Sequence, residues 1–305
     1  MPTVSVVIAT YNRSNVLRYT LRSLVMQTFA DWEAWVIGDA CTDDTAQVVA
    51  SIGDPRITFV NLENNHGEQS APNNEGVRRS RGAYVAYLNH DDLWFPDHLA
   101  SALEVLEAGE ADLAFGLLDI IDGAGHRTLG GAVPGGSFQP HNWVPASAWV
   151  MKRALFDRAG PWRSYTECFD APSQDWLRRA WRAGARIRQV PKLTVVALPS
   201  GGRPRSYSER QDVEHRDLFE QLSGNPSFRE QELQQLLLDA AVVDPRRGND
   251  LAVRLYLERG LKNVLRRVLL WFGLSPNMTL KALRYRRKGA FLRRLRKRRG
   301  LGDPG

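Results

Sequence analysis

Apolar and polar positions fall into alternating blocks along the first hundred residues. Val4 to Ala9 (VSVVIA) is a continuous β-branched run, the pattern of a strand buried on both faces. TYNRS follows as a turn, and Asn15–Gln27 carries apolar residues at Val16, Leu17, Leu21, Leu24 and Val25, a helical spacing. Trp32–Ile37 reads as a second strand ending at GDACTDDT, where Thr42 or Asp43 caps a helix through Val49. Ile57–Leu62 is a third strand, followed by the polar loop ENNHGEQS and a helix over Ala71–Ser80, whose Pro72 suits a first turn. Tyr84–Leu88 is a fourth strand, and His98–Glu107 is again helical. Strand and helix alternate four times, with crossovers long enough for parallel pairing.

After Asp112 the pattern changes. Leu113–Ile121 is strand-like, and GGAVPGGSF reads as turns, either a lid or a plain surface loop. SAWVMKRALFDRAGPW holds a strand and a short helix ending at Gly160. Asp175–Ala183 is helical with Gly184 as its C-cap, and IRQVP and LTVVAL are two short strands. RPRSYSERQDVEHR is a polar loop or a helix start, and Phe228–Ala241 is a helix. The expected division is 1–112 and 113–215 as two halves of one α/β domain, 216–248 as a helical connection, and 249–305 as a basic amphipathic tail.

Composition alters this picture at one end only. Residues 250–305 hold sixteen Lys and Arg against Asp250, Glu258 and Asp303, while the whole chain carries +7, so the body is mildly acidic. Such asymmetry suggests an anionic partner for the tail. Leu251, Leu255, Leu261, Val264, Leu265, Val268, Leu269 and Phe272 keep helical spacing, and a second basic helix is expected from about Thr279 to Arg299. Two readings stay open: amphipathic basic helices on an anionic membrane, or a helix packed on the domain with a solvated end. Cys41 and Cys168 make no framework, no CxxC occurs, and this usage fits a reducing compartment. The start MPTVSVVIAT lacks a basic n-region and a cleavage site and reads as a first strand. No apolar run reaches the ~18 residues that span a bilayer.

Ligands of open α/β sheets bind beyond the carboxyl ends of the strands. Three such ends are polar here: Thr10-Tyr11-Asn12-Arg13, Gly38-Asp39 and Asn89-His90-Asp91-Asp92. In a parallel sheet they converge on one edge as a nucleotide-sized site. Asp91 and Asp92 suit a divalent cation that offsets their repulsion and holds a diphosphate, or they cap the turn before FPDHL; Asp91 on metal with Asp92 in support combines the two. Asp39 either accepts from a base or ribose or bonds loop backbone. Tyr11 stacks on a base or packs. His66 and His90 flank the site as loop residues or ligands. HNW (141–143) follows the Gly-rich stretch. Trp94, Trp149, Trp162, Trp176 and Trp181 are expected mostly in the core.

The ordered set resembles glycosyltransferase family 2. VSVVIATYNR is similar to that family's opening strand and turn, VIGDACTDDT to its "VVDDGSTDDT", and SAPNNEGVRRSRGAYVAYLNHDD to its "SAARNxGIxxAxGxYIAFLDADD". The resemblance is dense over Val4–Leu99 and thins through SQDWLRRAWRAG. It implies a GT-A fold: a Rossmann-like, mostly parallel central sheet flanked by helices, here with a C-terminal basic helical extension. It also implies an inverting transfer of sugar from a nucleotide diphosphate sugar, a UDP-sugar by preference, to a glycan or lipid-linked saccharide acceptor in envelope polysaccharide synthesis. The implied donor-site residues are Thr10, Tyr11, Asn12, Arg13, Asp39, Asn74, Asn89 and His90, with Mg²⁺ or Mn²⁺ on Asp91. The family's Glu-Asp pair appears as Gln174-Asp175, which makes Asp175 the implied base for the acceptor hydroxyl, with Asp170 in reserve. The chain departs from the family at Gly38, Asn73 and Asn89, where it expects Asp, Arg and Asp. The implied location is the cytoplasm, peripheral on the inner face of the plasma membrane through 249–305, with no nucleic acid partner. No GxGxxG follows the first strand and no GKS or GKT occurs, which disfavours dehydrogenase and P-loop chemistry. A non-catalytic membrane or nucleic-acid adaptor on the same fold, and a nucleotidyltransferase, stand as the alternatives.

Overall fold

In the computed structural model, which describes residues 1–200, 203–241 and 287–301, the apolar blocks are strands of one nine-stranded sheet. Strand β1 is Val4–Thr10, β2 is Trp32–Gly38, β3 is Ile57–Asn61 and β4 is Tyr84–Tyr87. β1 pairs in parallel with β2 on one side and β4 on the other, and β2 pairs in parallel with β3. The intervening helices are α1 (Ser14–Val25), α2 (Thr45–Ser51) and α3 (Ser70–Arg79). Strand order reverses direction at β1, which opens a crevice beyond the carboxyl ends of β1 and β4. α3 docks closely on β1: a Cβ at Gly76 would meet Val7 Cγ1 at 2.3 Å.

The second half extends this sheet. β5 (Asp92–Trp94) precedes α4 (His98–Glu107), and β6 is Leu113–Ile121 with β7 (Arg127–Gly130) on its edge. β8 (Trp149–Lys152) pairs antiparallel with β4 and β6 and so joins the two halves. α5 (Arg153–Ala159), α6 (Pro172–Arg182), β9 (Ile187–Ala197), α7 (Val213–Gly224) and α8 (Phe228–Ala241) follow. Trp94, Trp149, Trp162 and Trp176 are all buried, as expected, and Trp181 packs on the core's edge. Trp162 stacks on Trp176 and meets Tyr87 edge-on, with its Nε1 donating to the Tyr87 hydroxyl at 3.0 Å. This aromatic cluster fixes α5 and α6 against the sheet.

Four local expectations change. α6 begins at Pro172 rather than Asp175, because Pro at the first helical position gives up only an amide that has no helical partner. IRQVP and LTVVAL form one strand, since Pro191 falls where the β6–β9 register shifts and no ladder bond is lost. α2 starts at Thr45, whose N–H and hydroxyl both donate to Asp43. Asp92 opens β5, which pairs with β9, and caps no helix; Asp97 holds the N-cap position of α4. Of the basic tail, the described part is a helix at Ala290–Arg298 packed on the domain. The expected helix over 251–272, and the start of the second, lie outside the described residues. Among the described residues no helix is long and apolar enough to cross a membrane.

His98 is buried in this core, stacked 4.2 Å from Trp94 with Nδ1 against Thr194 Oγ1 at 2.9 Å. Burial pushes its pKa down to about 3. Its folded pKa lies below the unfolded value of about 6.5, so the stability it contributes is complete above that value and falls as acid titrates the unfolded state first. Replacing His98 with Gln should remove about 2 kcal/mol of the stability change between pH 7 and pH 5. Urea denaturation of both proteins at the two pH values checks this; equal pH dependence would contradict it.

Candidate active site

The three polar strand ends meet. Thr10 and Tyr11 close β1, Asp39 follows β2, and Asn89, His90, Asp91 and Asp92 bridge β4 to β5; all seven line one cleft of about 390 Å³. Its other walls come from Gly67 to Gln69, from Ala171 to Ser173 at the start of α6, and from Trp143 and Tyr207. Trp143 is the tryptophan of the cleft, at 47 % exposure.

The adjacent carboxylates share the work unequally. Asp92 is fully enclosed and accepts from Ser147 Oγ at 2.5 Å, Asn89 Nδ2 at 2.8 Å and Leu198 N at 3.0 Å. Burial, and then the Asp91 charge, push its pKa up to about 7. Asp91 accepts from Ser200 N at 3.2 Å. Burial alone would raise its pKa, but the positive charge around it, Arg13 and Arg299 included, outweighs that and holds the group below the usual value. The pair thus avoids full double ionisation, with the charge on Asp91. Asp92 is a stitch between β5, β9 and the Ser147 segment. Truncating it to Ala should cost roughly 2–4 kcal/mol, because two buried donors and one half-buried donor lose their acceptor. Chemical denaturation measures this, and a loss below about 1 kcal/mol would remove the stitching role.

Asp39 combines the two roles proposed for it in part. Its oxygens accept from the backbone N–H groups of His66 and Gly67, both at 2.8 Å, so it organises a distant loop while lining the cleft. A carboxylate offers about four acceptor sites, which leaves capacity for a ligand. Burial raises its pKa against those two bonds. The next residue, Ala40, takes φ 59°, a left-handed conformation that a non-glycine residue adopts at a cost of about 1–2 kcal/mol.

Other expected site residues do not reach the cleft wall. Asn12 at φ 47° ties the turn to Thr42, through Nδ2 to its hydroxyl and Oδ1 from its N–H. Arg13 is buried; it donates to Ser206 O and lies 5.2 Å from the Tyr207 ring centroid, so it supports the loop that carries Tyr207. Asn74 pairs with the backbone of Trp162 in both directions. Asp175, in the first turn of α6, accepts from Arg179 Nε at 3.0 Å, and the nearby cleft wall is Ala171 to Ser173. Asp170 is buried against Arg178. Five cleft residues had no signal in the pattern: Glu68, Ser200, Tyr207, Arg296 and Arg299. Glu68 is half-buried and pushed up to about 7 by desolvation, with Ser70 N and Oγ both donating at 2.7 Å. The motif Glu68-Gln69-Ser70 reads as a turn, and only its placement makes it part of the site.

Among the described residues no three His, Cys, Asp or Glu side chains form a metal cluster. Mg²⁺ does not need one, since it is commonly held by one or two carboxylates together with phosphates and water. His90 Nδ1 lies 3.1 Å from Ala9 O, so it donates and leaves Nε2 as a lone pair. That Nε2 is buried without a hydrogen-bond partner, 4.0 Å from Asp91 Oδ2. Two electron-rich groups facing each other across the cleft wall fit a cation bound on Asp91.

Known proteins resemble this chain in sequence and in fold. The family model "Glycosyl transferase family 2" matches residues 5–145. The chain is 33 % identical over 121 residues to the succinoglycan biosynthesis protein ExoO of Rhizobium meliloti, covering 40 % of this chain and 34 % of that protein. It is 27 % identical over 119 residues to WfgD of Escherichia coli, a UDP-Glc:alpha-D-GlcNAc-diphosphoundecaprenol beta-1,3-glucosyltransferase, covering 39 % and 47 %. The chain thus spans between a third and a half of the length of these curated relatives. Among solved structures, S. aureus TarS 1-349 in complex with UDP-GlcNAc superposes with a TM-score of 0.57 at 19 % identity, covering 99 % of this chain and 93 % of that one. The mannosyltransferase PcManGT from Pyrobaculum calidifontis, in complex with GDP-Man and Mn2+, gives 0.54 at 17 %, covering 96 % and 87 %. At such identities the likeness is one of fold, and the fold is GT-A. The matched segment runs from β1 through the Asp91–Asp92 pair to the wall at Pro145, and over that segment the chain is similar to glycosyl transferase family 2.

Proposed function

We propose that the protein transfers a sugar from a nucleotide diphosphate sugar, a UDP-sugar by preference, to a glycan or lipid-linked saccharide of the cell envelope, with inversion. The observation that carries this reading is the convergence of Thr10, Tyr11, Asp39 and the Asn89–Asp92 cluster on one cleft at the switch point of the sheet. Asp39 and Tyr11 would bind the nucleoside end, and Asn89 supports the site by holding Asp92. Asp91 would hold Mg²⁺ or Mn²⁺, whose charge offsets that of the departing nucleotide diphosphate. Asp175 is the proposed base: it takes the proton from the acceptor hydroxyl as that oxygen attacks the anomeric carbon and the glycosyl–phosphate bond breaks. The cytoplasmic face of the membrane is the proposed place of action, where lipid-linked acceptors present their sugars.

Titration calorimetry with UDP, with and without Mn²⁺, tests the reading. A binding heat that grows with the metal supports it. No heat in either case would favour an adaptor that keeps the fold without the chemistry, and release of free pyrophosphate from a nucleoside triphosphate would favour nucleotidyl transfer.

A further inference from the structure

The basic C-terminal segment is the feature that the nucleotide-sugar reading leaves unused. Its described helix, Ala290–Arg298, lies against the cleft, and Phe291, Leu292, Leu295, Arg296 and Arg299 line the same cavity as Thr10, Asp39 and Asp91. Backbone bonds hold it at both ends: Gly289 N donates to Cys168 O at 2.9 Å, and Arg205 N donates to Arg298 O at 3.4 Å.

The helix sorts its cations by face. Arg293, Arg294, Lys297 and Arg298 are exposed, as solvated charges should be. Arg296 is 7 % exposed, and its guanidinium donates to Gly67 O, the residue whose own N–H holds Asp39. Arg299, three residues on and so on the same face, has a buried Nε with no hydrogen-bond acceptor. Its charge lies close enough to bear on both His90 and Asp91. A buried guanidinium N–H without an acceptor is costly. The planar fork of Arg matches phosphate oxygens better than any other side chain does. Packing alone gives no reason to turn two arginines into a cleft while four others face water.

We propose that Arg296 and Arg299 form a guanidinium pair that binds a substrate diphosphate, so that the C-terminal helix is part of the active site. This rests on the nucleotide-sugar reading. The diphosphate belongs either to the nucleotide donor or to a lipid-linked acceptor, and the two sources separate experimentally.

Calorimetry on the full chain uses uridine, UMP, UDP and farnesyl diphosphate, with Arg296→Met, Arg299→Met, Arg299→Lys and, as an exposed control, Arg294→Met. For a donor diphosphate, Arg299→Met weakens UDP by about 10- to 100-fold and leaves uridine unchanged. The Lys variant recovers part of the loss because it keeps charge without the fork. For an acceptor diphosphate, UDP is unchanged and farnesyl diphosphate weakens by a similar factor. A purely structural role would weaken uridine and UDP together and overturn the proposal. So would unchanged binding of both diphosphates, or tighter UDP binding, which would make the helix an obstruction. If Arg296→Met fails to fold, Arg299→Met decides alone. If the folded wild type binds none of the nucleotides, the nucleotide-sugar reading fails, and the farnesyl diphosphate arm decides whether the pair binds diphosphate at all.

Discussion

Asp175→Asn is expected to lower sugar transfer by about 10²- to 10⁴-fold, the usual worth of a positioned base, while UDP binding stays at the wild-type value. Asn keeps the volume of Asp and retains an oxygen to accept from Arg179 Nε, so the first turn of α6 need not move. Arg179 is held independently by the carbonyls of Ala159 and Pro161, which further isolates the substitution to the loss of a proton acceptor. The side chain lies beside the cleft wall of Ala171 to Ser173 rather than in it. Catalytic hydrogen bonds often tighten only when substrate binds, so its position without acceptor is compatible with the role. Transfer assays with the donor in excess, beside calorimetry with UDP, make the check. Near-normal turnover would take the role from Asp175. Glu68, a half-buried cleft carboxyl raised to about 7, would then stand before Asp170, whose carboxylate is buried against Arg178.

The parts of this site that could be read from the chain are those carried by strand ends. β1, β2 and β4 are short apolar runs that stop at a polar residue, and a parallel sheet brings such stops to one edge. Thr10, Tyr11, Asp39 and the Asn89–Asp92 cluster were therefore legible from order alone. Asn12, Arg13 and Asn74 show the limit of that logic. They sit at the expected positions, yet their side chains are taken up in holding Thr42, Ser206 and Trp162. Which way a polar residue points after a turn depends on partners from remote segments.

The loops and the tail were illegible for the same reason in stronger form. Glu68 gains its meaning from its place in the cleft wall beside Asp39, Ser200 from a backbone N–H aimed at Asp91, and Tyr207 from Arg13 beneath it. Nothing in ENNHGEQS or RPRSYSERQ has a period that reveals such contacts. The charge run near the C-terminus suggested only a solvated or membrane-facing helix. Arg296 and Arg299 look like their neighbours in sequence, and only docking of the helix on the cleft separates them.

Asp91→Asn should abolish the metal-dependent part of UDP binding while leaving the protein folded. Asp91 carries the charge of the carboxylate pair, and Asp92 is already committed to three donors. Asn at 91 can still accept from Ser200 N, so the link to the loop after β9 survives. It cannot offer a full negative charge to a cation. Residues that merely support a metal ligand cost about 10–100-fold when removed, so loss of the ligand itself should lower Mn²⁺-supported UDP affinity by at least roughly 10²-fold. The same substitution relieves the repulsion that raises the Asp92 pKa, so without ligands the variant should melt at or above the wild-type temperature. The two effects have opposite signs, and a general loss of structure cannot produce both. Thermal melts of each protein, alone and with UDP and Mn²⁺, read them together. If the variant keeps the wild-type shift on adding Mn²⁺ and UDP, the cation is held elsewhere, and Asp91 would be left as a structural partner of Ser200 alone.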